Sequence, residues 1–219
     1  LWDFPDGTLS GREVAAYLLD RIMGYDLVPP TIWREVGPAG PGMCQLWVTE
    51  DPTRRLVNVV PTDGIPPGWH HVLSADDGSG QLVALVHADD QRLRHMALLD
   101  AVINNGDRKG GHVITDDTGR VWAIDHGVSL ASEPKLRTVL WGWAGEPIHD
   151  AELTRLDRLM TLLEGESADA EDAASVAELA AFVNPHELAA LRSRVRALID
   201  TGRYPFPNDE WPAIPWPVF

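Results

Sequence analysis

Asp107-Arg108-Lys109-Gly110-Gly111-His112 and Ile124-Asp125-His126-Gly127 decide how this chain is read. The two acidic residues, Asp107 and Asp125, stand eighteen positions apart. Between them, segments 112–115 and 121–124 read as strands. Asp116-Asp117-Thr118-Gly119 joins them, a good hairpin signal between apolar runs. The hairpin thus carries one carboxylate on the loop before it and one on the loop after it. Gly110, Gly111 and Gly127 allow backbone to approach a ligand closely.

Working outward, the preceding helix is expected from Asp89 or Asp90 to about Asn104, with Leu93, Met96, Ala97, Leu99 and Ile103 on its apolar side. Residues 61–81 read as loop, with Asp63-Gly64, Pro66-Pro67-Gly68 and Asp77-Gly78 as turn signals. Segments 32–36, 44–49 and 56–60 are expected as strands, and 82–86 as a short strand or the start of a buried segment. The first helix is expected from a capping box at Ser10 and Glu13 to about Met23, with Gly24 ending it. Residues 1–9 read as an extended lead-in. Helices are expected over 151–164, 170–182 and 185–201, with a polar linker at 165–169. The Pro- and Trp-rich tail after Gly202 is expected to pack in extended form, Trp211 to Trp216 covering an apolar groove.

Composition limits the function classes. The 219 residues carry a formal charge of −15, which repels phosphate backbones and argues against nucleic acid as a partner. No apolar run approaches a membrane span. Cys44 is the single cysteine, so no intrachain disulfide forms; this fits a reducing cytoplasm. Its neighbours predict a small buried residue. Lys109 and Lys135 are the two lysines, against sixteen arginines, and both fall in or just after the two loops.

Phosphoryl transfer needs a carboxylate near the acceptor hydroxyl, cations on the phosphates and metal held by oxygen. Asp107 suits the first role, Arg108 or Lys109 the second and Asp125 the third. Lys135 and Arg137, in the basic cluster after the second loop, are candidates for holding an anionic substrate. Trp141-Gly142-Trp143 reads as core packing.

With these residues in place, the chain resembles the superfamily of phosphatidylinositol 3- and 4-kinases. Members of that superfamily carry a catalytic loop of the form Asp-Arg-x-x-x-Asn and a metal loop of the form Asp-x-Gly. The stretches Arg12–Tyr17, Val28–Thr31 and Gln45–Val48 are similar to the helix-to-hinge passage of type II phosphatidylinositol 4-kinases. Asn105–His112 with Lys135–Trp143 resembles, more closely, an uncharacterised actinobacterial family within that superfamily. The resemblance implies an α+β, protein-kinase-like catalytic lobe, mostly helical with a small β-ribbon and an incomplete N-terminal lobe. Residues 1–60 would be the N-lobe remnant and 61–219 the C-lobe. It also implies ATP with Mg²⁺ or Mn²⁺, and a small-molecule or protein acceptor of unknown identity. Asp107 matches the catalytic carboxylate and Asp125 the metal-binding one. Glu13 matches the helix glutamate that pairs a nucleotide-anchoring lysine. Gln45, Leu46, Trp47 and Val48 would approach the adenine-binding hinge.

Two departures stand out. The metal-binding Asn of the pattern is His112, and imidazole favours softer metals than Mg²⁺. No lysine precedes Lys109, and no Gly-rich strand pair precedes Glu13. The sequence therefore predicts weak ATP binding or none by this chain, its N-lobe removed or absent. A kinase-like pseudoenzyme or ligand-binding scaffold is the alternative. A metal-dependent hydrolase built from His112, Asp125 and His126 is the third reading.

Overall fold

Asp90 fixes where the helix feeding the Asp107 loop begins. In the computed structural model, which describes residues 4–5, 7–166, 170–208 and 211–219, its side chain accepts the Arg92 amide. That helix, α2 (Gln91–Ile103), buries Leu93, Met96, Leu98, Leu99, Val102 and Ile103 and so has no fully solvent-facing side. It ends at Asn104 in the left-handed region, φ 53°, which Asn tolerates better than most residues. The Asn104 amide donates to the Ala131 and Glu133 carbonyls, and its Oδ1 accepts the Lys135 amide. The exit from α2 is thereby held by side-chain bonds.

The architecture is α+β, with five α-helices among the described residues. Besides α2 these are α1 (Leu9–Met23), α3 (Asp150–Leu163), α4 (Ala170–Leu179) and α5 (Pro185–Thr201). Three small antiparallel sheets accompany them. β1 (Thr31–Arg34) pairs with β2 (Gly42–Gln45). β3 (Val57–Pro61), β4 (Trp69–Asp76) and β5 (Leu82–Ala88) form a sheet in the order β3-β5-β4. β6 (Val113–Thr115) and β7 (Val121–Ala123) make the central hairpin, Val113 opposite Ala123 and Thr115 opposite Val121. The core joins α1, α2, α3 and α5 through Leu19, Met96, Leu99, Leu156 and Leu191, with Trp143 packed among them. Each fully buried leucine contributes roughly 1.5–3 kcal/mol. Among the described residues no helix is long and apolar enough to cross a membrane.

Several expectations need correction. Residues 61–81, read as loop, contain strand β4. The sheet it joins crosses the boundary expected at residue 60, since β3 pairs with β5. Strand content therefore exceeds a small ribbon. Ser10 does not cap α1: the helix starts at Leu9 after Thr8, with no side-chain cap bond. β2 stops at Gln45, so residues 46–49 run outside the ladder. Cys44 is half-buried rather than enclosed. α4 ends at Leu179, short of Phe182. Parts of the lead-in over 1–9, of the linker at 165–169 and of the tail lie outside the described residues.

α1 also buries an acid. Asp20 has no solvent exposure, and its Oδ2 accepts the Leu27 and Val28 amides at 2.9 Å each. Burial pushes its carboxyl up to about 7, against the pull of those two amides. A folded-state value above the unfolded one means the native protein holds this proton more tightly. The contribution is complete below about pH 4 and is lost as pH rises through about 7. His87 has the opposite sign. Burial lowers it to about 4, and its Nε2 must stay unprotonated to accept the Gly142 amide, so its contribution is lost as pH falls from about 6.5 toward 4. Asp20→Asn should flatten the Asp20 component. Urea unfolding of both proteins at pH 4.5, 6 and 7.5 should show the stability difference shifting toward the variant by a few kcal/mol at most. A pH-independent difference would exclude this assignment.

Candidate functional site

The hairpin β6–β7 brings the two expected loops to one end. Asp107 follows the α2 exit, and the Asn105 side chain accepts its amide at 3.0 Å. Asn105 in turn donates to Asp100 Oδ1 at 2.9 Å. Asp125 follows β7 with φ 59°, a left-handed conformation uncommon for a residue other than glycine. The Asp125 side chain is 56% exposed and its Oδ2 lies 3.3 Å from His112 Nε2.

His112 lies between the acids. Both Asp125 and Asp107 act electrostatically on its imidazole. Burial nevertheless lowers its pKa, helped by the neighbouring Arg108 charge. Its Nδ1 is buried without a hydrogen-bond partner. Lys109 Nζ stands 3.1 Å from Asp107 Oδ2, both side chains about four-fifths covered. A carboxylate, a primary ammonium, an imidazole whose Nε2 faces a second carboxylate, and that exposed carboxylate itself are therefore collected at one hairpin end.

Arg108 has a different place from the one expected. It is fully buried, and so is Asp100, which receives its Nε at 3.0 Å and its Nη2 at 2.9 Å. The remaining donors reach the Ile124 carbonyl at 2.8 Å and His126 Nε2 at 2.8 Å. The planar fork of arginine suits this multiple attachment, which lysine could not reproduce. Arg108 thus ties α2 to both loops and is withdrawn from any phosphate.

Glu13 is similarly occupied. Its Oε1 accepts the Gly127 amide at 2.8 Å, and its Oε2 lies 3.6 Å from His126 Nδ1, a long electrostatic contact. Burial raises its pKa, but the His126 contact and the Gly127 amide outweigh this and hold the carboxyl below the usual range. Instead of awaiting a lysine, Glu13 anchors the second loop. Because Nε2 of His126 accepts from Arg108, the ring proton belongs on Nδ1, facing Glu13.

Of the basic cluster, Arg137 donates through Nε to the Gly106 carbonyl at 2.6 Å and so supports the Asp107 loop. Lys135 Nζ lies over the Phe4 and Trp211 rings at 5.6 and 5.7 Å. The expected hinge stretch meets the other end of the hairpin. Leu46, Trp47 and Val48 line an open cleft of about 350 Å³ with Asp116, Asp117 and Trp122. Gln45 turns its amide to Thr31 Oγ1. Trp143 is core, as its neighbours suggested, while Trp141 donates to the Ala213 carbonyl. Among the described residues no three His, Cys, Asp or Glu side chains gather into a metal-holding group. His112 and Asp125, the two residues expected to hold a metal, meet as a pair and not as part of a larger cluster.

Two supports were not read from the sequence. Asp100 is the first; its signal was a lone acid inside the apolar run from Ala97 to Ile103. The tail is the second. The Gly110 amide donates to the Val218 carbonyl at 2.8 Å, and a Cβ at Gly110 would overlap the Phe219 ring. The loop that carries Lys109 thus packs against the tail.

No protein-family model matches the chain. It is 48% identical over 228 residues to Protein Rv2133c of Mycobacterium tuberculosis, covering 100% of this chain and 78% of that protein. The chain belongs to the Rv2133c family. Identity at this level over the whole chain makes the fold described above a common property of both proteins. The name of that relative assigns no activity.

Proposed function

We propose that this Rv2133c-family chain is a kinase-like phosphotransferase, related to the phosphatidylinositol 3- and 4-kinases, that uses ATP and a divalent cation. One observation supports the reading above others: Asp107 and Asp125 flank a single hairpin and both act on His112. Asp107 accepts the proton of the acceptor hydroxyl. Lys109 meets the charge of the transferred group. Asp125, exposed, and His112, whose Nε2 stands 3.3 Å from Asp125 Oδ2, fit a divalent cation. A carboxylate with an imidazole favours Mn²⁺ more than an all-oxygen set does. The chemistry supplied by a bound nucleotide and its cation is a charge-neutralised, transferable phosphoryl group. Arg108 and Glu13 hold the two loops in register. The hinge role falls to Leu46, Trp47 and Val48, beside Trp122.

A second reading, a nucleotide- or ligand-binding scaffold without transfer, draws on the positions of Arg108 and Glu13. Both residues are spent on structure. Phosphate release from ATP with Mg²⁺ or Mn²⁺, run beside ATP titration by calorimetry, separates the two. Slow turnover that Asp107→Asn removes supports transfer. ATP binding with turnover no greater than that of Asp107→Asn supports the scaffold and overturns the phosphotransferase.

A further inference from the structure

A cavity of about 420 Å³ opens between α2, α5 and residues 203–208. Leu136, Trp141, Leu198, Tyr204 and Phe206 give it an apolar wall. Its size falls within the range of small-molecule sites, which are mostly apolar with a few placed polar groups. Arg194 supplies such a group. Its Nε donates to the Val102 carbonyl at 3.0 Å and its Nη1 to the Ala131 carbonyl at 3.1 Å. Both bonds fix the guanidinium, while Nη2 is buried with no partner. A buried cationic donor left without an acceptor is costly, so an acceptor is expected there.

The charge around it agrees. Arg194 and Arg203 line the cavity, and no acid does among the described residues, although the chain as a whole is strongly acidic. Glu187 acts on Arg194 from a distance, but its two oxygens are taken by Arg12 and the Asn184 amide. Burial pulls Arg194 down to about 10, which leaves it cationic at neutral pH.

We infer that this cavity binds a small amphipathic carboxylate, its head group held by the Arg194 guanidinium and its hydrocarbon body lying along the apolar wall. One open donor matches a monoanion better than a phosphate dianion, which calls for several donors. The site is independent of the phosphotransfer reading.

Decanoate is a suitable probe, titrated by calorimetry below its aggregation concentration, with decanol and decylammonium as neutral and cationic counterparts. Saturable one-to-one binding of decanoate is expected, with the counterparts at least about tenfold weaker. Arg194→Met should weaken decanoate by about tenfold or more and leave decanol unchanged. Ala197→Trp, at an exposed rim position of the cavity, should block decanoate and decanol alike, and it serves if Arg194→Met does not fold. No saturable decanoate binding, equal affinity for decanol, or full decanoate affinity in either variant would overturn the inference.

Discussion

Asp100→Ala should lower unfolding stability by about 3–5 kcal/mol, because it strands the Arg108 guanidinium in a dry interior. Asp100 and Arg108 are both fully buried, and the bonds between them run at 2.9–3.2 Å. Removing the carboxylate also takes the acceptor from the Asn105 side chain, which in turn orients the Asp107 amide. A domain of this kind has only about 5–15 kcal/mol in total, so the variant should unfold at markedly lower urea concentration. Asp100→Leu combined with Arg108→Met should recover much of the loss, since neither buried charge then remains. A loss below about 1 kcal/mol for Asp100→Ala would show that the pair is not holding the loops.

Asp107→Asn should lower ATP turnover by about 10²–10⁴-fold, the range that a positioned general base supplies. The substitution keeps side-chain size and leaves untouched the backbone amide bonded to Asn105. Its other cost is the Lys109 pair, which is partly solvated and worth little. Unfolding stability should therefore change by less than about 1 kcal/mol. Loss of turnover with stability retained separates this residue from Asp100. Turnover equal to that of the parent protein would remove Asp107 from the chemistry.

The hairpin and its flanking acids were legible because short alternating runs around Asp116-Asp117-Thr118-Gly119 have few other readings. α5 was legible to the residue, since Pro185 opens it and Gly202 follows Thr201. β4 was hidden. Its side chains are only partly covered, so no clean alternation marks it, and turn residues crowd both ends. The α+β class was legible, whereas the extent of sheet was not. Burial explains the misreading of Arg108. An arginine beside an aspartate in a loop looks exposed, and nothing local reveals that Asp100, one helical segment earlier, reaches it. Glu13 failed for a related reason: its partner, Gly127, is 114 positions away. That Leu46, Trp47 and Val48 share a cleft with the hairpin turn at Asp116 and Asp117 was not read from the sequence, because the two stretches lie some seventy positions apart.

The bond from the Gly110 amide to the Val218 carbonyl makes one peptide hydrogen a reporter. Solvent deuterium reaches that amide only when the tail lifts, so its exchange rate measures how often residues 218–219 leave Gly110. Removing the Phe219 ring, which packs on Gly110, by Phe219→Ala should accelerate exchange at Gly110 while slow amides in α2 stay as they were. The tail is then a clamp on the loop next to Asp107, and the Gly110 amide reports how firmly it holds.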